Sequence, residues 1–155
     1  MDKPLKALIL AAGFGTRLRP LTLNIPKCLV EINSKPLLGH WLEKLERLGC
    51  ESVLVNTHYL ESQVKSFIIN RSEKKMKVKI VHEEHLLGTA GTLLSNIDFF
   101  ENSTVLMLHA DNYTSTDLKF FLNSYYLKPK NCLLTMLTFT TETPSKCGIV
   151  VTDKD

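Results

Sequence analysis

Residues 10–22 read Leu-Ala-Ala-Gly-Phe-Gly-Thr-Arg-Leu-Arg-Pro-Leu-Thr, and Pro26-Lys27 follows closely. The apolar run Ala7-Leu8-Ile9-Leu10 that leads into this stretch reads as a buried strand. The small residues after it let the backbone come close to a ligand, and the N–H groups of such a turn form a concavity suited to anions. Two arginines and then Lys27 come next, and basic residues in that place suit a polyphosphate. No Gly-Lys-Ser/Thr ends the loop, so it is not a Walker A motif. Leu18 stands where the dinucleotide fingerprint has its third glycine.

The rest of the composition is that of an ordinary globular protein. The chain has 155 residues, 44% hydrophobic and 23% charged, and reads as one domain with room for a substantial core. No segment reaches the length of a membrane span, and Met1-Asp2-Lys3-Pro4 has no signal-like region apart from the first strand. A cytoplasmic protein without a membrane partner is the expectation. Cys28, Cys50, Cys132 and Cys147 are widely spaced and read as reduced, mostly buried thiols. A net charge of +3 is too small to argue for nucleic acid, and the basic run Arg71 to Lys79 reads as a solvated helix end and strand start.

Working outward from the glycine loop, strands and helices alternate, which predicts an open α/β sheet of parallel strands. The first strand is expected over Leu5–Ala11 and a short extended piece over Cys28–Ile32, ending at the turn Asn33–Pro36. A helix from Pro36 to Leu48 carries Leu38, Trp41, Leu42, Leu45 and Leu48 at helical spacing, with Gly49 as its C-terminal stop. Strands follow at Ser52–Asn56, Val78–His82, Thr104–His109 and Cys132–Thr140, and a further one begins at Gly148–Val151. Between them come helices near Leu60–Asn70, Gly88–Asn96 and Thr116–Tyr126. In open α/β sheets ligands lie outside the carboxyl ends of the strands. The glycine loop, Asn56, Glu83 and Asp111 all fall at such ends, which predicts one shared site.

Gly13-Phe14-Gly15-Thr16-Arg17-Leu18, joined to Pro26-Lys27, resembles the signature of the sugar-1-phosphate nucleotidylyltransferases. The segment Leu87-Gly88-Thr89-Ala90-Gly91 is most similar to the mannose-1-phosphate guanylyltransferases among them. The resemblance implies a Rossmann-like, mostly parallel sheet with helices on both faces. It also implies transfer of a nucleotidyl group from a nucleoside triphosphate to a sugar-1-phosphate, with release of pyrophosphate. It assigns Arg17 to the outer phosphates and Lys27 to the α-phosphate and the attacking group. The backbone of Leu10, Ala11, Ala12, Gly13 and Gly15, with the Thr16 hydroxyl, would cradle the nucleotide, and Gly88 and Thr89 would meet the base. Asp111 would hold Mg²⁺, a role that suits a carboxylate at a strand end because Mg²⁺ takes most of its ligands from phosphates and water. Gly148 would contact the sugar. Glu83 or Glu84 would accept hydrogen bonds from a base, which favours GTP.

The match covers the chain but only the front part of the family's catalytic domain. His109-Ala110-Asp111 stands where many members have Gly-Asp. The family's sugar-phosphate Glu-Lys pair and second metal-binding aspartate are expected beyond Gly148, and Asp153 and Asp155 come too soon for that aspartate. A C-terminally incomplete sheet would favour self-association. The other readings are a UTP- or dTTP-dependent glucose-1-phosphate enzyme, a nucleotide-binding module or an inactive fragment of a longer enzyme without turnover, and a site completed by another chain. His82-Glu83-Glu84-His85 lacks the spacing of a zinc motif, and Asn56-Thr57-His58-Tyr59 reads as structural.

Overall fold

The computed structural model describes residues 3–71 and 75–152. They fall into two compact units, Met1–Ser115 and Thr116–Asp155. The first unit runs through β1 (Leu5–Leu10), a small hairpin of β2 (Glu31–Ile32) and β3 (Lys35–Pro36), and α1 (Leu37–Arg47). It continues with β4 (Ser52–Thr57), α2 (Glu61–Ile69), β5 (Lys77–His82), α3 (Gly88–Ser95) and β6 (Thr104–His109). Four strands form one parallel sheet in the order β5-β4-β1-β6. The chain therefore builds outward from β1 on one side and then returns to place β6 on the other. That reversal opens a crevice at the carboxyl ends of β1 and β6.

The two central strands explain why this sequence forms a covered sheet. All six residues of β4 are buried, as are Leu5, Ala7, Leu8 and Ile9 of β1. Successive side chains of a strand point to opposite faces, so both faces of the sheet are covered. On one face Leu8 and Leu54 pack with Phe100, joined by Leu93 of α3 and by Phe99. On the other, Ala7, Ile9, Val53 and Val55 are wholly buried. Helix α1 buries Leu38, Trp41, Leu42 and Leu45, and ends at Leu48 with Gly49 at φ 79°, a left-handed stop that suits glycine.

The hairpin replaces the extended piece expected from Cys28. Lys27–Leu29 is a 3₁₀ turn instead, and only Glu31–Ile32 pairs, against Lys35–Pro36. Arg71 also departs from expectation. Its guanidinium is nearly buried and pairs with Glu46 at 2.9 Å, so it is not a solvated helix end. Residues 72–74 of that basic run lie outside the described residues, as do Asp153 and Asp155.

The second unit contains α4 (Leu118–Tyr126), started by the Asp117 side chain, which accepts from the Lys119 N–H at 2.8 Å. The strands expected at Cys132–Thr140 and Gly148–Val151 do not form among the described residues. A strand needs a neighbour to complete its hydrogen bonds, and none pairs with these stretches. Their apolar side chains are exposed, Leu133 at 91% and Phe139 at 78%. Cys132 and Cys147 are exposed too, whereas Cys28 and Cys50 are buried, so only half of the thiols match the buried reading. Among the described residues no helix is long and apolar enough to cross a membrane.

Candidate nucleotide site

Sheet register sets the site. Leu10 pairs with Asn56 on one side and His109 on the other, and Asn56 pairs in turn with Val81. This row marks the carboxyl end of the sheet. Ala11, Glu83 and Asp111 lie just past it, on three different loops. Together they line a cleft of about 210 Å³ within the first unit.

Leu10, Ala11, Ala12 and Gly13 line the cleft together with Gly88, Thr89, Lys27, Cys28 and Asp111. Gly15, Thr16 and Arg17 lie outside this lining. Arg17 is exposed in the 3₁₀ turn Thr16–Leu18. Gly148 belongs to the second unit and is exposed.

Gly15 is held tightly by its surroundings. Its φ is 65°, and a Cβ there would lie 3.0 Å from Thr22 Cγ2 and 3.1 Å from Lys27 Cβ. The fully buried Thr22 donates its hydroxyl to the Gly15 carbonyl at 2.7 Å. The loop thus folds back tightly on the stem of Lys27, and only glycine leaves room. Beside that stem, burial pushes the Cys28 thiol up to about 12, with the Asp111 charge adding to the effect. Cys28 is therefore an apolar floor rather than a thiolate ligand.

Glu83 is 5% exposed and committed to the chain itself. Its Oε1 accepts from Asn56 Nδ2 at 3.0 Å and from the Thr92 hydroxyl at 2.6 Å. Its Oε2 accepts from the Leu87 N–H at 3.2 Å. Asn56 completes the chain of bonds, its Oδ1 accepting from the Ala11 N–H at 2.7 Å. One buried network therefore ties the glycine loop to the segment that opens α3. The Glu83 carboxylate thus braces the cleft that it also lines. Glu84, the other candidate, is exposed. Asn56 reads as structural from the sequence, and its partners, far away along the chain, show what it holds together.

Asp111 is held from two directions. The Ala110 N–H donates to the Leu10 carbonyl at 3.0 Å, continuing the β1–β6 ladder by one bond. The Trp41 indole N–H donates to the Asn112 carbonyl at 2.8 Å, and His40 meets the Tyr113 ring edge-on. The Asp111 side chain accepts from Lys27 Nζ. Among the described residues no three His, Cys, Asp or Glu side chains gather as a metal cluster. The donor set therefore fits only a cation that brings most of its ligands with it, as Mg²⁺ does with phosphate oxygens and water.

Known proteins are similar to this chain in sequence and fold. The family described as "Nucleotidyl transferase" matches residues 6–155. A mannose-1-phosphate guanyltransferase of Pichia angusta is 34% identical, over 97% of this chain and 42% of that protein. The mannose-1-phosphate guanylyltransferase catalytic subunit beta of Xenopus tropicalis is 37% identical, over 95% of this chain and 41% of that protein. The chain thus spans about two fifths of the length of these curated relatives. Among solved structures, HddC from Yersinia pseudotuberculosis complexed with GMP-PN is 31% identical with a TM-score of 0.67, over 77% of this chain and 53% of that one. A putative glucose-1-phosphate thymidylyltransferase from Bacillus anthracis is 25% identical with a TM-score of 0.72, over 79% of this chain and 50% of that one. With the family matched from the first strand to the last residue, this chain belongs to the nucleotidyl transferases.

Proposed function

We propose that this chain is the nucleotide-binding part of a sugar-1-phosphate nucleotidylyltransferase, with GTP and mannose-1-phosphate as its substrate pair. The observation that carries the reading is the single cleft shared by the glycine loop, Lys27, Asp111 and Gly88-Thr89. It offers backbone N–H groups, one mobile cation and one carboxylate, which is what a bound triphosphate requires.

The sugar phosphate oxygen that attacks the α-phosphorus is already anionic, so no protein nucleophile is needed. The task is to bring two anions together and stabilise the leaving pyrophosphate. Lys27 neutralises the α-phosphate and the incoming oxygen. The backbone from Leu10 to Gly13 holds the phosphates, with Gly15 fixing the loop and Thr16 adding its hydroxyl. Arg17 reaches the outer phosphates from its exposed turn, Gly88 and Thr89 lie under the base, and Gly148 contacts the sugar. Asp111 would hold Mg²⁺, which supplies charge neutralisation at the phosphates when bound. The guanine preference is supported by the names of the guanylyltransferase relatives and by the GMP-PN complex of HddC. The second reading, UTP or dTTP with glucose-1-phosphate, is supported by the fold of the Bacillus anthracis structure at lower identity.

A pyrophosphate-release assay with Mg²⁺ tests this. It offers GTP, UTP, dTTP and CTP against mannose-1-phosphate and glucose-1-phosphate, with calorimetric nucleotide binding on the same sample. Turnover of GTP with mannose-1-phosphate names the reaction, and Lys27→Ala or Arg17→Ala lowers it by orders of magnitude. Turnover of UTP or dTTP with glucose-1-phosphate replaces the substrate pair. Nucleotide binding without turnover marks the chain as the nucleotide-binding portion of a longer enzyme, and no binding at all overturns the reading.

A further inference from the structure

Lys27 and Asp111 stand 84 positions apart in the chain, yet they meet as an ion pair in the lining of the cleft. Both side chains are mostly shielded, at 24% and 29% exposure. Each is anchored at its backbone. The Val30 N–H donates to the Lys27 carbonyl at 3.2 Å, and Gly15 packs on the lysine stem. The Asp111 segment is fixed by Leu10 and Trp41. The two ends nevertheless differ in reach. A lysine ammonium moves on a flexible four-carbon stem, while an aspartate carboxylate stays near its backbone.

From this geometry we propose that Lys27 is the resident counter-ion of Asp111. A divalent cation gains the carboxylate only when a triphosphate draws the ammonium away. The inference rests on the nucleotidyltransferase reading and goes beyond it, because it couples two groups that the reading treats separately. A cation arriving alone at Asp111 lies beside an ammonium, and among the described residues no group of three His, Cys, Asp or Glu side chains gathers there to offset the repulsion. A triphosphate changes the balance. Its oxygens take the ammonium and supply the remaining ligands of the metal, so lysine transfer and metal binding occur in one step. Metal and nucleotide therefore bind cooperatively, and by linkage each raises the affinity for the other by the same factor.

The test is a Mn²⁺ titration of the full chain without nucleotide, following free Mn²⁺ by electron paramagnetic resonance. Lys27→Met is expected to bind Mn²⁺ at least about tenfold more tightly than the wild type, the effect of removing one adjacent charge. Adding Asp111→Asn to Lys27→Met abolishes that gain. With a non-hydrolysable GTP analogue, the wild type tightens its hold on Mn²⁺ by a larger factor than Lys27→Met does. Lys27→Gln repeats the comparison with a second uncharged side chain, so that poor folding of one variant does not decide the result. Equal Mn²⁺ affinity in wild type and both Lys27 variants overturns the proposal, and so does a gain that survives Asp111→Asn. A wild type that shows the Lys27 effect but binds none of the four nucleotides overturns the transfer to triphosphate and the functional reading together, and leaves the counter-ion pair standing.

Discussion

Replacing Glu83 by alanine removes the acceptor shared by three donors of the chain: Asn56 Nδ2 at 3.0 Å, the Thr92 hydroxyl at 2.6 Å and the Leu87 N–H at 3.2 Å. A hydrogen bond to a charged group contributes roughly 1.5–3 kcal/mol, and a buried donor left alone costs about as much again. The three losses do not add in full. Asn56 Nδ2 keeps the Thr92 oxygen at 3.2 Å, and Leu87 lies in an exposed loop where water replaces the lost partner. The expected loss is therefore about 3–4 kcal/mol of folding stability. Nucleotide affinity should fall by about tenfold or more, because the segment that opens α3 is no longer tied to the glycine loop. In Glu83→Gln the amide NH₂ faces a donor whichever way it is turned, so the loss is smaller, about 1–3 kcal/mol. Urea denaturation followed by circular dichroism reads the first quantity, and calorimetry with a purine and a pyrimidine triphosphate reads the second. A stability change below about 1 kcal/mol refutes the brace. Unchanged stability with a lost preference for guanine would return Glu83 to the role of base reader.

Gly15→Ala forces a left-handed backbone on a side chain that meets Thr22 and Lys27, so it should cost about 2–4 kcal/mol in thermal unfolding. A neutral result would show that the loop is slacker than its contacts imply. Glu46→Ala leaves the nearly buried Arg71 guanidinium without its carboxylate and should cost about 3 kcal/mol in urea unfolding. The double variant Glu46→Leu with Arg71→Met should recover most of that loss, and strict additivity of the two single changes would refute the coupling. A thiol reagent at mildly alkaline pH should label Cys132 and Cys147 at once. Cys28 and Cys50, pushed by burial to about 12 and about 11, should react only on unfolding, so rapid labelling of all four thiols would contradict both burials.

The sheet was legible because its central strands are continuous apolar runs. Ala7-Leu8-Ile9 and Val53-Leu54-Val55 are buried on both faces and read that way residue by residue. The carboxyl ends of β1, β5 and β6 are legible from the alternation of strands and helices, which places Ala11, Glu83 and Asp111 together. The stretch from Cys132 to Thr140 has the same kind of composition, yet it forms no strand among the described residues. Apolar composition reports a capacity to pair, and the ladder itself depends on a neighbour that composition does not contain. The bonds that Glu83 makes within the chain were not legible for a related reason. An acid at a strand end gives no sign that Asn56, Thr92 and Leu87 converge on it from three elements. Gly15 was read as a phosphate contact, while its need for φ 65° and its packing on Lys27 are properties of the folded loop. The pairing of Lys27 with Asp111 had no local signal at all.

Trp41 was read as a core residue of α1, and it is 6% exposed. It is also the single tryptophan of the chain, and its indole N–H is bonded to the Asn112 carbonyl, one residue past Asp111. Indole emission responds in colour and yield to the dipoles around the ring. The chain therefore carries its own optical reporter beside the Asp111 side of the cleft, with no competing indole elsewhere in its sequence. Any rearrangement of the turn after β6 reaches the spectrum directly, so occupancy can be followed in real time, at low concentration and without a label.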